Sequence, residues 1–274
     1  MSSVIEPAEE MPIDLKTNVA HPARVYDYLL GGKDNFPADR EHVERAIAVA
    51  PEMRSNAQAN RQFLVRAVRF LAEQGIRQFI DLGTGIPTSP NVHEVAQAVA
   101  PDAHIVYVDN DPIVLVHARA LMASGPQGAT AYIDADLREP EAILGHLGVA
   151  ELIDFDQPVG ILLIATLHLV PDADDPAGIV RRLLAPAAPG SYLVISQFAL
   201  DVDEQKAQAV AAAAKHDGIT LVPRRHEEIL RFFDGLDLLD PGLVLVPRWR
   251  PDSSAEPIPY EERVWLYAGV ARKP

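Results

Sequence analysis

The spacing of apolar residues divides the chain into a helical first part and a second part in which strands and helices alternate. Between residues 20 and 75, apolar positions recur at the spacing of one helix face. After Gly75 the pattern changes to short apolar runs, each followed by a longer amphipathic stretch. Strands are predicted at 78–82, 104–109, 130–134, 159–165, 191–198, 243–249 and 263–270. Helices are predicted at 92–99, 112–123, 139–147, 177–187, 204–216 and 225–233.

This alternation predicts a doubly wound α/β domain, in which helices cover both faces of a parallel sheet. A proline-rich gap at 247–259 predicts a hairpin-like loop, which makes the last two strands antiparallel neighbours. We therefore expect three parts along the chain. They are a flexible acidic tail at 1–19, a helical extension at 20–75 and the α/β domain at 76–274.

The composition limits the classes of partner. Lysine and arginine number 24 against 39 aspartates and glutamates, which gives a formal net charge of −15. Such a surface repels phosphate backbones and anionic lipid, so neither nucleic acid nor membrane is expected as a partner. The chain has no cysteine, which excludes disulfides, thiolate zinc sites and thiol nucleophiles. Its most apolar run, 159–170, is shorter than the roughly 20 residues that span a bilayer, and its acidic N-terminus does not resemble a signal peptide, so we expect a soluble, cytoplasmic protein.

The first strand of the α/β part runs into a turn that contains Gly83 and Gly85. Two glycines let the backbone approach a ligand closely at the carboxyl end of a strand. Asp81 lies beside this turn. Its carboxylate can accept a hydrogen bond from a ligand ammonium, or it can hold the backbone amides of the loop in place. A dinucleotide fingerprint needs a third glycine or alanine where this chain has Thr88, after Pro87, so that fingerprint is incomplete. A turn without a ligand remains the structural alternative.

Two further predicted strands also end in acidic residues. Asp109 follows Asp81 by 28 residues, a spacing at which a carboxylate accepts from ribose hydroxyls, and the neighbouring Asn110 can face an adenine. Asp136 offers an acceptor for an adenine amino group, and Leu137 offers an apolar wall for the ring. Ligands of open α/β sheets bind at the carboxyl edge of the strands, so three acidic strand ends predict one binding site there.

The motifs occur in a fixed order: Asp81-x-Gly83-x-Gly85, then Asp109, then Asp136-Leu137. This order resembles that of class I S-adenosylmethionine-dependent methyltransferases. The segment PARVYDYLLGGKDNF at 22–36 is similar to the N-terminal signature of an S-adenosyl methyltransferase family that is abundant in actinomycetes. The resemblance covers nearly the whole chain after about residue 18. It implies a seven-stranded sheet whose last strand is antiparallel, preceded by a helical extension.

The resemblance implies S-adenosylmethionine as cofactor and S-adenosylhomocysteine as product, but it does not identify the methyl acceptor. The resemblance implies that the glycine loop binds the methionine part of the cofactor. It implies that Asp109 binds the ribose, and that Asp136 and Leu137 bind the adenine. The expected cofactor-binding set also contains Thr84, Pro87, Asn110 and Ala165. Pro87 departs from the usual loop pattern, which leaves the path of the loop open.

Two other segments complete the expected site. Tyr28, Asn35 and Phe36 belong to a helix that runs into a glycine-hinged turn, which could fold over the cofactor as a lid. His168 follows the fourth strand of the α/β part, where donor and acceptor would meet. An imidazole there could act as a general base or only line the pocket.

Three functions stay open on the sequence alone. The favoured function is that of a methyltransferase. The alternative enzyme is a nicotinamide-dependent oxidoreductase. The third possibility is a protein that binds S-adenosylmethionine without catalysis. The oxidoreductase needs a pyrophosphate on a helix N-terminus, which Pro87 and Thr88 make less natural. The net charge favours a small-molecule acceptor. No metal site is predicted, and the oligomeric state stays open, with a homodimer among the options.

Overall fold

The computed structural model describes residues 15–121, 127–252 and 263–274, so most of the expected tail, residues 1–14, lies outside the described residues. The helices are α1 (Pro22–Leu29), α2 (Pro37–Val49), α3 (Met53–Glu73), α4 (Val92–Val99), α5 (Pro112–Leu121), α6 (Pro140–Leu144), α7 (Leu147–Leu152), α8 (Pro176–Leu184), α9 (Glu204–His216) and α10 (His226–Leu230). The strands are β1 (Gln78–Leu82), β2 (His104–Asp109), β3 (Ala129–Asp134), β4 (Gly160–Ile164), β5 (Tyr192–Phe198), β6 (Asp237–Leu238), β7 (Val244–Leu245) and β8 (Leu266–Arg272).

One mixed sheet organises the α/β part. Its strand order is β3-β2-β1-β4-β5-β8-β6, and β7 also pairs with β8. Strands β1 to β5 are mutually parallel, whereas β8 runs antiparallel to β5, β6 and β7. This arrangement confirms the doubly wound fold with an antiparallel last strand and with N-terminal helices. The expected hairpin-like relation between the last two strands is also confirmed, because β7 and β8 pair antiparallel.

The strand count differs from the expected seven. In the described ranges the sheet has eight strands, because its last edge consists of two short pieces, β6 and β7, that both pair with β8. Pro241 and Gly242 separate the pieces, and Gly242 has a φ of +86° that favours glycine. The strand predicted at 243–249 is only two residues long, because Pro247 lies in a 3₁₀ turn at Val246–Arg248.

Most predicted helices form at the expected places, and two of them are divided. The bounds of α4 and α9 are those predicted from the apolar spacing. The segment predicted as one helix at 139–147 is divided between α6 and α7, because Gly145 caps the end of α6 and His146 caps the start of α7. The helix predicted at 225–233 is α10 followed by a 3₁₀ turn at Arg231–Phe233.

Apolar side chains cover both faces of the sheet. Along β1, Phe79 packs on the side of Phe63 from α3, and the next residue, Ile80, packs on the opposite side with Ile179 of α8. Successive side chains of a strand point to opposite faces, so a strand buried on both sides reads as a continuous apolar run. Among the described helices, none is long and apolar enough to cross a bilayer.

A buried charged cluster attaches the N-terminal helices to the sheet. Arg24 of α1 donates to Asp39 of α2 at 3.2 Å, and both side chains are almost completely buried. His21 forms a 2.8 Å contact with Asp111, which caps α5 by accepting from the amide of Ile113. A buried ion pair contributes little net stability, but removing one partner leaves a costly unpaired charge. The cluster therefore fixes α1 and α2 beside the end of β2.

Candidate functional site

The turn after β1 adopts a conformation that requires its glycines. Gly83 and Gly85 have φ angles of +72° and +68°, in the left-handed region that favours glycine. A Cβ atom on Gly83 would lie 2.1 Å from the Cγ2 atom of Thr166, so this position admits no side chain. The amide of Gly83 donates to the carbonyl of Val108 at 2.8 Å. The turn is thereby held at the carboxyl end of both β1 and β2.

Asp81 places a carboxylate beneath this turn. Only 5% of its surface is exposed, and it accepts a 2.6 Å hydrogen bond from the hydroxyl of Thr84. Burial raises the pKa of Asp81 to about 6; the Thr84 hydrogen bond and the charge of Arg61 oppose the rise, and the charge of Asp109 adds to it. Among the described residues, the Thr84 hydroxyl is the one short contact of this carboxylate, which keeps spare acceptor capacity.

Asp109 connects the end of β2 to the same turn. One carboxylate oxygen accepts from the amide of Gly85 at 2.7 Å, and the other accepts from the amide of Asp111 at 2.9 Å. Burial raises the pKa of Asp109, and these two amide hydrogen bonds oppose the rise. A carboxylate oxygen accepts about two hydrogen bonds, so each oxygen retains one acceptor direction.

Asp136, the acidic residue that follows β3, lies close to the end of β2. The amide of Ala135 donates to the carbonyl of Asp109, which joins the two strand ends. Asp136 is held by Arg138, whose Nε donates to it at 3.0 Å, and this hydrogen bond lowers the pKa of the Asp136 carboxyl. Asn110 also donates to Asp136. Leu137 is half-buried against the apolar layer below.

The loop after β4 contains an unpaired hydroxyl. Ala165 has a φ of +57°, unusual for a residue with a side chain, and its amide donates to the hydroxyl of Ser196 at 2.9 Å. That hydroxyl donates to Asn60 at 2.5 Å, and Asn60 donates to Tyr26 at 2.9 Å. These hydrogen bonds join α1, α3 and β5 to this loop. Beside Ala165, the methyl group of Thr166 lies against Gly83, and the buried hydroxyl of Thr166 has no hydrogen-bond partner in the described part of the chain.

His168 lies in surroundings that do not favour a general base. It is buried, and its Nδ1 accepts weakly from the amide of Phe198 at 3.4 Å. Burial lowers the pKa of His168 to about 3, and the charge of Arg224 adds to the effect. Arg224 itself holds the same loop through the carbonyls of Leu167 and Val170, each at 2.8 Å. His168 is thus a neutral imidazole inside the loop.

The side chains of Tyr28 and Phe36 contact different elements. The hydroxyl of Tyr28 donates to Glu44 at 3.0 Å and its ring lies under the guanidinium of Arg54, so this side chain faces α2 and α3 and not the glycine turn. A contact between Tyr28 and the cofactor stays a prediction. Phe36, in contrast, packs in a small apolar cluster with Ile86 of the loop and Ile113 of α5.

Asn35 stabilises the turn of the N-terminal signature. It donates to Asp27 at 2.8 Å and accepts from Arg40 at 2.7 Å. Asp27 also accepts from the amide of Asp34, and a Cβ atom on Gly32 would lie 1.9 Å from its carboxylate. These contacts explain why aspartate, glycine and asparagine occur at this spacing. The polar atoms of the Asn35 side chain are therefore already hydrogen-bonded within the turn.

Sequence reasoning missed two polar residues of α3 that border the site, Asn60 and Arg61. Arg61 donates to the carbonyls of Thr88 and Pro90 in the loop after the glycine turn. A signal was present, since Asn56 and Asn60 lie four residues apart on the buried face of α3. Polar residues on such a face need internal partners. Within the described ranges no cluster of three or more metal-binding side chains occurs.

Comparison with known proteins gives a consistent result. A model of the S-adenosyl methyltransferase family matches residues 8–274. A DUF574-family protein from Streptomyces avermitilis is 46% identical, covers 95% of this chain and 100% of its own, and superposes with a TM-score of 0.92. A proposed methyltransferase from Thermobifida fusca is 43% identical, with coverage of 94% and 97% and a TM-score of 0.86. No curated protein matches the sequence.

More distant structures share the fold alone. The plantazolicin methyltransferase BpumL, solved with S-adenosylhomocysteine, is 11% identical, covers 92% of this chain and 96% of its own, and has a TM-score of 0.52. The family match decides between the two enzyme classes left open above in favour of methyl transfer. The chain belongs to the S-adenosyl methyltransferase family and is a methyltransferase that depends on S-adenosylmethionine.

Proposed function

We propose that this methyltransferase acts on a small molecule and holds S-adenosylmethionine along the edge formed by the ends of β1, β2 and β3. The observation that carries the proposal is the pair of buried carboxylates at the glycine turn. Asp109 accepts from Gly85 while Asp81 lies beneath the same turn, and both carboxylates keep acceptor capacity. An acidic turn suits a ligand that carries an ammonium, a sulfonium and ribose hydroxyls.

The polar groups of this edge fit such a ligand. A pyrophosphate would place negative charge beside Asp81 and Asp109, which two buried carboxylates disfavour. The hydroxyl of Thr166 and the Nε of Arg61 are buried without a partner in the described structure. Buried polar groups are nearly always paired, so unpaired ones at a cleft indicate a ligand that completes them.

We assign the ligand groups to residues as follows. Asp81, with Thr84, binds the ammonium of the methionine part, and Asp109 binds the ribose hydroxyls. The backbone of Gly83 and Gly85 allows close approach. The adenine contacts three residues that follow the ends of β2 and β3, namely Asn110, Asp136 and Leu137. Asp136 is engaged by Arg138, so we expect it to accept from the adenine amino group with its remaining lone pairs.

Bound S-adenosylmethionine supplies an activated methyl group, and the chain has to hold donor and acceptor in line. Correct alignment alone accounts for a large share of such a rate enhancement. We propose that Ala165 and Thr166 form the wall nearest the reacting groups, since the Ser196–Asn60 hydrogen bonds fix this loop. We assign no general base to His168, because a pKa of about 3 makes it a weak proton acceptor at neutral pH.

The helical extension at 20–75 forms a further wall of the site in this proposal. Phe36 reaches Ile86 of the glycine loop, whereas Tyr28 and Asn35 serve the extension itself. The net charge of −15 favours a small acceptor over a nucleic acid. We place the activity in the cytoplasm, with which a chain without cysteine is compatible.

The proposal is tested by calorimetric titration with S-adenosylmethionine, S-adenosylhomocysteine and NADH, each on the wild type and on Asp109→Ala. We expect micromolar binding of the first two and none of NADH, with a large loss in the variant. Asp102→Ala is the matched control, because Asp102 is an exposed aspartate paired with Arg77 just before β2. Binding of NADH alone, or no loss in Asp109→Ala, would contradict the assignment. Formation of S-adenosylhomocysteine with small-molecule mixtures but not with DNA or RNA tests the acceptor class.

A further inference from the structure

We propose that Arg61 binds the carboxylate of the amino-acid end of S-adenosylmethionine and, together with Asp81, forms a receptor for its zwitterion. The inference rests on the proposed donor site at the glycine turn. It assigns a residue of the N-terminal helical extension to direct contact with the donor, and that residue belongs to none of the sequence motifs.

Arg61 lies where the extension meets the glycine loop. It is half-buried on α3, and its Nη2 donates to the carbonyls of Thr88 and Pro90, a few residues after Gly85. The preceding residue, Asn60, is hydrogen-bonded to Ser196 on the carboxyl side of β5. The guanidinium is therefore held at the same edge of the sheet as Asp81.

In the described part of the chain, the buried Nε of Arg61 has no acceptor. Among the described residues, Arg61 also has no carboxylate at ion-pair distance, although other arginines of α3 do: Arg54 pairs with Glu44, and Arg69 with Asp252. A guanidinium N–H forms a charge-assisted hydrogen bond to a carboxylate, stronger than one between neutral groups. Nη2 already donates to the two loop carbonyls, so Nε is the donor of Arg61 that an anionic group would complete.

Asp81 supplies the opposite charge at this site. It is a buried carboxylate whose short contact is the hydroxyl of Thr84, and among the described residues it has no salt-bridge partner. The charge of Arg61 lowers the pKa of Asp81, so the two groups interact although they are not paired. An α-amino acid carries its ammonium and its carboxylate on one carbon. Such a group can therefore bridge the carboxylate of Asp81 and the Nε of Arg61.

A purely structural role is the competing explanation, because the hydrogen bonds to Thr88 and Pro90 also hold the loop. The two explanations differ in which ligands they affect. A residue that binds the carboxylate changes the affinity only for ligands that have one. A residue that only holds the loop changes the affinity for all adenosyl ligands alike.

The test compares S-adenosylhomocysteine with its decarboxylated analogue, which keeps the ammonium, the thioether and the adenosine. Calorimetry on the full chain is expected to show that the wild type prefers S-adenosylhomocysteine by about tenfold or more. In Arg61→Gln the affinity for S-adenosylhomocysteine falls about 10- to 100-fold, and that for the analogue changes less than about threefold. Arg69→Gln, on the same helix with a surface partner, keeps the wild-type preference.

An equal loss for both ligands in Arg61→Gln, or an unchanged preference, would overturn the inference. Failure of the wild type to bind S-adenosylhomocysteine at all would instead overturn the proposed function, so the two failures are distinguishable. If the variant does not fold, the wild type labelled with ¹⁵N-arginine gives the answer. S-adenosylhomocysteine, but not the analogue, is expected to shift the Nε–H resonance of Arg61, and an unmoved resonance would refute the contact.

Discussion

Asp109 accepts a 2.7 Å hydrogen bond from the amide of Gly85, which joins the end of β2 to the glycine turn that follows β1. The other oxygen of the same carboxylate accepts from the amide of Asp111 at the start of α5. One side chain therefore sets the relative position of a turn, a strand end and a helix N-terminus. The geometry of the proposed donor site depends on hydrogen bonds to both carboxylate oxygens of Asp109.

The first prediction concerns Asp109→Asn. Asparagine has one acceptor oxygen, so its amide group would face the N–H of either Gly85 or Asp111. We expect the free energy of unfolding to fall by about 1–3 kcal/mol, and the affinity for S-adenosylhomocysteine to fall about 10- to 100-fold. Denaturant unfolding and calorimetry measure the two effects, and Asp102→Asn serves as the exposed control. An unchanged affinity would exclude Asp109 from the ribose site.

The second prediction concerns the ionisation of Asp81. Its pKa of about 6 lies above the ordinary value of 3.8, so the folded chain holds more protons than the unfolded chain between these values. The free energy of unfolding therefore decreases through this group as the pH rises from about 4 to about 6, and then stays level. Binding of the ligand ammonium needs the ionised form, so the affinity for S-adenosylhomocysteine rises over the same interval.

Asp81→Asn removes both effects. Unfolding experiments between pH 4 and 7.5 are expected to show that the wild type loses about 3 kcal/mol relative to the variant as the pH increases. Calorimetry is expected to show weaker, pH-independent binding of S-adenosylhomocysteine in the variant. Methylthioadenosine, which lacks the ammonium, is the control ligand. An identical pH dependence in wild type and variant would assign the titration to another group.

The sequence predicted this edge of the sheet well, because strand ends are local features. A strand such as β1 or β2 is visible in the sequence as a run of apolar residues, and the last residues of parallel strands lie at one edge of the sheet. Asp81 and Asp109 therefore each contact a residue of the glycine turn, Thr84 and Gly85 respectively. The split of the last edge into β6 and β7 was not predicted, because it depends on the backbone at Pro241 and Gly242.

The contribution of the helical extension could not be predicted in the same way. Tyr28 and Arg61 are both polar residues of helices near the site, and helical spacing does not indicate which of them faces the sheet. That choice depends on contacts distant in sequence, such as those of Asn60 with Ser196, or of Arg61 with Pro90. The signature residues Tyr28 and Asn35 have partners within the extension itself.

A third prediction separates stability from binding in that extension. Asn35→Ala removes a donor from buried Asp27 and an acceptor from Arg40, so the free energy of unfolding should fall by about 1–3 kcal/mol. Tyr28→Phe removes one exposed hydrogen bond and should change it by less than about 0.5 kcal/mol. Calorimetry on the folded variants should give affinities for S-adenosylhomocysteine within about threefold of the wild type. A larger loss in Tyr28→Phe would restore that residue to the site.

A fourth prediction tests the unpaired hydroxyl of Thr166. Thr166→Val keeps the methyl group that packs on Gly83 and removes a buried hydroxyl without a partner. The free energy of unfolding should therefore stay the same or rise by up to about 1 kcal/mol. We expect the bound ligand to pair with this hydroxyl, so the affinity for S-adenosylhomocysteine should fall about three- to tenfold in Thr166→Val. Thr166→Ser keeps the hydroxyl and should retain affinity while losing stability; equal affinities in both variants would remove Thr166 from the site.

The last prediction concerns His168. Since its pKa is lowered to about 3, the imidazole should stay neutral between pH 5 and 8, and its ring resonances in NMR spectra should not titrate there. The folded chain then binds fewer protons than the unfolded chain between about 3 and 6.5, so this group contributes stability that is lost as the pH falls through that interval. A midpoint near 6.5 for His168 would show that the loop after β4 opens to water, and it would make His168 a candidate general base for methyl transfer.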